Sequence, residues 1–186
     1  MNAQELSIPG AWLIKSRVFS DDRGTFTEWF KSSALQDATG VEFIPAQANI
    51  SVSRQGVIRG IHYSLAHSGQ AKLVTVLRGS ILDVAVDVRI GSPTFGKYDS
   101  VTMHAGDGTV IFLNHDLAHA FQALEDDTVV SYLVSSEYDP LNEHEISPLC
   151  PTLGIKWNED IPIVLSEKDR MAPDLIFKQN SGLLPA

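Results

Sequence analysis

His62, in the run Arg59-Gly60-Ile61-His62-Tyr63, is the side chain best suited to moving protons. An imidazole titrates near ~6.5 and serves as a general base at neutral pH when it faces a cavity. A histidine hydrogen-bonded at a strand edge fits the same residue, and only its company raises it above that. Arg59 puts a guanidinium three residues away. A period-two strand sets positions 59 and 62 on opposite faces unless Gly60 admits a bulge, so spacing leaves their geometry open. Lys72 opens Lys72-Leu73-Val74-Thr75-Val76 and shares a face with Val74 and Val76. A lysine on the inner face of a strand calls for a buried anion, an enolate or a phosphate, unless it guards an exposed edge. Tyr132 alternates with Val130 and Val134 and reads by pattern as a core tyrosine. Asp169, in Ser166-Glu167-Lys168-Asp169, reads most simply as a helix-cap carboxylate.

Lys72 and Tyr132 lie in two of several short β-rich runs separated by Gly, Asp, Asn or Pro: 47–53, 72–77, 81–88, 100–103, 109–113 and 128–134. Leu82, Val84, Val86 and Val88 alternate with Asp83, Ala85, Asp87 and Arg89, giving one apolar and one mixed face. Helical signal is confined to the flanks. Lys31 to Thr39 ends at Gly40 as a C-cap, and Ser166 to Lys178 opens with a capping-box-like Ser166-x-x-Asp169, with Pro173 limiting or kinking it. Many short strands with only short flanking helices predict an all-β fold, a jelly roll or related closed double-sheet barrel. No linker, repeat or low-complexity tract divides the chain, so residues 1–186 read as one domain.

A jelly roll raises the question of metal, because cupin-type metalloenzymes carry a His-x-His pair, a carboxylate and a later histidine. Here the pair is broken at Ser64, and Gln70-Ala71-Lys72 offers an ammonium where a cation needs a negative ligand. The arrangement suits proton transfer better than metal chemistry.

Fourteen Lys and Arg against 23 Asp and Glu leave a formal charge of -9, a poor match for a nucleic-acid backbone. The longest apolar runs fall far short of the roughly 20 residues that span a bilayer, and the N-terminus lacks a secretory pattern. Cys150 is the only cysteine, which suits a reducing cytoplasm and excludes an intrachain disulfide.

The chain resembles the dTDP-4-dehydrorhamnose 3,5-epimerase family over nearly its whole length. The resemblance is carried by Asp22-Arg23-Gly24-Thr25-Phe26-Thr27-Glu28, Gln47-Ala48-Asn49-Ile50-Ser51, Gly56-Val57-Ile58-Arg59-Gly60-Ile61-His62-Tyr63, Asp83 to Arg89, Ser92-Pro93-Thr94-Phe95-Gly96, Ala118-His119-Ala120-Phe121 and Leu165-Ser166-Glu167-Lys168-Asp169, in the family's order. It implies a cupin-like jelly-roll homodimer without cofactor or metal, acting on a dTDP-4-keto-6-deoxyhexose. The C4 ketone acidifies the protons at C3 and C5, so a base removes one, a cation holds the enolate, and an acid on the opposite face returns a proton with inversion. His62 matches the base, Tyr132 the acid, Lys72 the enolate partner, and Asp169 the carboxylate paired with the base. Arg23, Phe26, Glu28, Gln47, Asn49, Arg59, His119, Glu143 and Lys168 match nucleotide-sugar contacts, with Tyr138 stacking on thymine. Residues 20 to 30 would reach across a two-fold, carrying Arg23 and Glu28 into the partner's site.

Three departures mark the chain. Ser64 stands where the family commonly has Gln, and Asn114-His115-Asp116-Leu117-Ala118-His119-Ala120-Phe121 departs from the usual Pro-x-Gly-Phe-Ala-His-Gly-Phe. The stretch 123–128 and the ending Gly182-Leu183-Leu184-Pro185 look more like the antibiotic deoxysugar branch. That branch includes enzymes inverting C3 only or C5 only. The competing readings are a 3,4-ketoisomerase on the same scaffold, a non-catalytic sugar-nucleotide binding module and a metal-dependent cupin.

Overall fold

The computed structural model describes residues 1–66 and 69–186. The described strands are β1 (Asn2–Glu5), β2 (Ala11–Lys15), β3 (Val18–Asp21), β4 (Gly24–Thr27), β5 (Gln47–Ser53), β6 (Ile58–Ser64), β7 (Lys72–Arg78), β8 (Ser80–Asp87), β9 (Tyr98–His104), β10 (Thr109–Leu113), β11 (Leu117–Ala123), β12 (Thr128–Val134) and β13 (Glu143–Glu145). The described helices are short: α1 (Ser32–Thr39), α2 (Glu167–Met171) and α3 (Leu175–Asn180). None is long and apolar enough to cross a membrane.

Two antiparallel sheets face each other in a jelly roll. One is six-stranded in the order β1-β2-β10-β7-β12-β5, the other five-stranded in the order β13-β6-β11-β8-β9, and β3-β4 forms a separate hairpin. Apart from β1-β2 and β8-β9, the neighbours within the two sheets are non-consecutive and mark the crossing connections of the fold. Between the sheets, Val74, Val76, Ile111 and Val130 pack against Ile81, Ala85, Met103 and Phe121. Outside the six-stranded sheet, Leu35 of α1 and Phe43 cover Leu73, Val110 and Phe112. Outside the five-stranded sheet, Leu153, Trp157, Leu175 and Leu184 cover Ile61, Tyr63, Val84 and Val86.

The alternation in β8 therefore has an unexpected sense. Its apolar face, Val84 and Val86, lies under the C-terminal segment, whereas the mixed face with Asp83 and Ala85 turns toward the space between the sheets. Asp87 at the strand end serves the fold. Its carboxylate accepts from Arg89, Ser92 and Thr94 and closes the turn that follows. Burial alone would raise its pKa, but those bonds outweigh it and hold the group at about 2.

The helical flank is broken where the sequence predicts that Pro173 limits or kinks it. The run 166–178 divides into α2 and α3, because Pro173 lacks an amide hydrogen and restricts Ala172 to an extended conformation. Ser166 caps α2 by accepting from the Asp169 amide, and Asp174 caps α3 by accepting from the Phe177 amide. α1 ends at Gly40 in the left-handed conformation, as its sequence predicts.

Candidate active site

The question of Arg59 and His62 is resolved by a bulge. β11 pairs His119 with His62 and Phe121 with Arg59, so two steps on β11 match three on β6. The extra residue lets Arg59 and His62 line one cavity. Gly60 makes this possible: it has φ of 125°, and a Cβ there would lie 2.4 Å from the Ala120 Cβ and 2.7 Å from the His119 carbonyl oxygen.

The cavity, of about 380 Å³, opens between the sheets. Arg59, His62 and His119 line it from the five-stranded sheet, and Gln47, Asn49, Lys72 and Tyr132 from the six-stranded sheet. Tyr138, Glu143, Lys168 and Asp169 complete it. His62 and Tyr132, both able to exchange protons with a bound molecule, thus stand on opposite walls.

His62 Nε2 lies 2.7 Å from the Asp169 Oδ1. With Asp169 ionised, Nε2 is the donor, so Nδ1 keeps the basic lone pair. Ser166 Oγ donates to the other carboxylate oxygen of Asp169 at 2.7 Å. Burial pushes the Asp169 pKa up, but the bonds from His62 and Ser166 more than offset it and the pKa is lowered. Asp169 is therefore not the cap carboxylate that its sequence position suggests: Ser166 caps the helix through the Asp169 amide, and the Asp169 carboxylate is held by the imidazole and the Ser166 hydroxyl.

Lys72 is 6% exposed, and its Nζ has no hydrogen-bond partner among the described residues. Burial lowers its pKa to about 8, opposed by the negative charge of Glu143. An unpartnered buried ammonium is costly unless something anionic meets it. Across the ladder, Tyr132 pairs with Val74 and Asn49. Burial raises its pKa; Arg59 pulls it down and Glu143 pushes it up. Among the described residues no group of three or more His, Cys, Asp or Glu could hold a metal ion.

Neighbouring contacts hold the rim. Gln47 donates to Asn49 and accepts from the Tyr138 amide, while Lys168 pairs with Glu145 at 3.2 Å. Arg23, Phe26 and Glu28 are elsewhere. Arg23 pairs with Asp21 on the β3-β4 hairpin, Phe26 is 63% exposed, and Glu28 lines a separate cavity with Arg17, Phe19 and Lys31.

Several lining or supporting residues escaped the sequence reading: Asp83, Ser166, Gln70, Phe121 and His144. Asp83 carries a usable signal, a carboxylate flanked by apolar residues in the interior of β8. Ser166 carries another, since a cap hydroxyl that reaches one carboxylate oxygen fixes the other. Gln70, Phe121 and His144 carry none that separates them from ordinary strand and loop residues.

The family model described as dTDP-4-dehydrorhamnose 3,5-epimerase matches residues 5–176. A dTDP-4-dehydro-6-deoxyglucose 3-epimerase of Streptomyces bikiniensis is 47% identical over 180 residues, covering 97% of this chain and 92% of that one. A dTDP-4-dehydrorhamnose 3,5-epimerase of Mycolicibacterium smegmatis is 45% identical over 185 residues, covering 100% and 91%. Among solved structures, the rmlC epimerase of Mycobacterium tuberculosis superimposes with a TM-score of 0.96 at 43% identity, over 100% of this chain and 94% of that one. A 3'-monoepimerase of Streptomyces bikiniensis, solved in complex with dTDP-quinovose, gives 0.94 at 46% identity, over 100% and 93%.

Proposed function

Because the chain belongs to the dTDP-4-dehydrorhamnose 3,5-epimerase family, we propose that it epimerises dTDP-4-keto-6-deoxy-D-glucose at C3, C5 or both, in the making of a dTDP-deoxysugar. The observation that carries this reading is the Lys72 ammonium, buried and unpartnered among the described residues, on the same wall of the cavity as Tyr132 and across from the His62–Asp169 dyad. An ammonium so placed has the charge and position to receive an enolate oxygen.

His62, oriented by Asp169, takes the proton from the carbon beside the ketone through Nδ1. The electrons move onto the C4 oxygen, where Lys72 stabilises the charge. Tyr132 returns a proton from the opposite wall, which inverts the centre, and is reprotonated afterwards. Arg59 and Lys168 serve the diphosphate and Tyr138 stacks on thymine, with Gln47, Asn49, His119 and Glu143 contacting the nucleotide sugar. A few convergent cations hold the anionic ligand while the surface stays acidic.

We further propose that the working form is a homodimer, in which the β3-β4 hairpin of each copy brings Arg23, Phe26 and Glu28 to the other's cavity. Support comes from the exposure of Phe26 and of Ile50 and Val52 on the edge strand β5, apolar surface that a second copy would cover. With its one cysteine buried and reduced, the protein suits the cytoplasm, where we place the reaction.

The test is incubation with dTDP-4-keto-6-deoxyglucose in D2O, reading deuterium at C3 and C5 by NMR. Exchange with inversion at either carbon or both is expected, and its distribution assigns the regiochemistry. Bound ligand with exchange at neither carbon would overturn the reading.

A further inference from the structure

A second His–Asp pair stands beside the first. His119 on β11 is the direct ladder partner of His62, and its Nε2 lies 2.8 Å from the Asp83 Oδ2 on β8. Asp83 pairs with Phe121, so it meets His119 as the diagonal neighbour on the same inward face. The pair lies deeper than the first: Asp83 is 2% exposed and the His119 side chain 11%, against 39% for His62. A buried carboxylate flanked in its strand by Leu82 and Val84 contributes little to packing and is costly unless its partner is well placed. His119 also lines the cavity, so the pair is turned toward ligand.

Resting on the epimerase reading above, we propose that Asp83 is a positioning residue that fixes His119 as a hydrogen-bond acceptor for a ring hydroxyl of the hexose. Ionised Asp83 can only accept, so it draws the ring proton to Nε2 and leaves Nδ1 as a lone pair. A lone pair reads an O–H. With C4 a ketone and C6 deoxy, the sugar ring of the substrate offers hydroxyls at C2 and C3. The second dyad therefore selects for an oxygenated ring, whereas the first moves protons.

The test uses the D2O exchange assay, read at C5, with dTDP-4-keto-6-deoxyglucose and its 2-deoxy and 3-deoxy analogues, on the parent, Asp83→Asn and His119→Phe. The parent should lose about tenfold or more in kcat/KM on one of the two analogues, the order expected for one hydrogen bond to a buried group. Both variants should lose a similar factor on the full substrate and show no further loss on that analogue. Asparagine can donate to Nε2 and move the ring proton to Nδ1, which converts the acceptor into a donor. Equal losses of the variants on all three sugars, or a parent indifferent to both hydroxyls, would overturn the inference. Should Asp83→Asn fail to fold, His119→Phe is judged by the same criterion, with folding of each variant followed by circular dichroism. A parent that exchanges no proton at C5 is compared by binding of the same three sugars. Exchange at neither carbon overturns the epimerase reading, while equal affinities overturn this one.

Discussion

Lys72 is where function opposes stability most directly. Its ammonium is buried without a partner among the described residues, and its folded-state pKa of about 8 lies below the ordinary 10.5. Between those values the unfolded chain binds the extra proton, so this group makes stability rise with pH from about 8 to 10.5; below 8 its cost is fully present. Lys72→Met fills a similar volume without the charge. The expected outcome is a higher free energy of unfolding at pH 7, on the order of 3 kcal/mol from the size of the shift, read as a higher urea midpoint, together with loss of turnover. A lower midpoint would mean that Lys72 already has a stabilising partner. Ser166 makes the opposite case, because one hydroxyl caps α2 and holds Asp169. Ser166→Ala should cost about 1 kcal/mol of stability and reduce kcat more than KM, since Asp169 would lose the bond that aims it at His62. A variant with the parental kcat would limit Ser166 to its cap.

The bulge on β6 is the element on which the cavity depends. Gly60→Ala should push β11 away at Ala120 and His119, lowering both stability and kcat, because a methyl 2.4 Å from the Ala120 Cβ cannot be accommodated without backbone movement. Thermal unfolding and exchange kinetics on one preparation check it; parental values in both would show that the strands separate cheaply. The same glycine explains what the residue pattern could and could not reveal. Strands 109–113 and 128–134 and the C-cap at Gly40 were legible because alternation and turn residues act locally. β6 was not, since a bulge interrupts its period, and β11 was not, since Leu117-Ala118-His119-Ala120-Phe121-Gln122-Ala123 owes its strand to partners on both sides rather than to β propensity. Lys72 was legible as a misplaced charge on an inner face. Tyr132 was not separable from a core tyrosine until the opposite wall supplied His62, a relation between sheets that no local spacing encodes.

At the scale of the whole molecule, three residues of a family-like run, Arg23, Phe26 and Glu28, lie outside the cavity that holds the rest. The β3-β4 hairpin that carries Arg23 and Phe26 pairs with no other described strand, and the exposed side chains of β5 lie on an edge, with Ile50 68% exposed. If each cavity is completed by the partner's hairpin, two inactive variants must complement each other. His62→Ala spoils the body of a site and Arg23→Ala spoils the hairpin. In a mixed dimer one site receives both defects and the other receives neither, so random reassortment of equal amounts should restore about a quarter of parental activity. Co-expression of the two differently tagged chains, purification and the D2O exchange assay measure it. Activity no greater than the sum of the separate variants would mean that the hairpin acts within its own chain or not at all. Recovery near a quarter would make the dimer, rather than the single chain, the unit that carries the site.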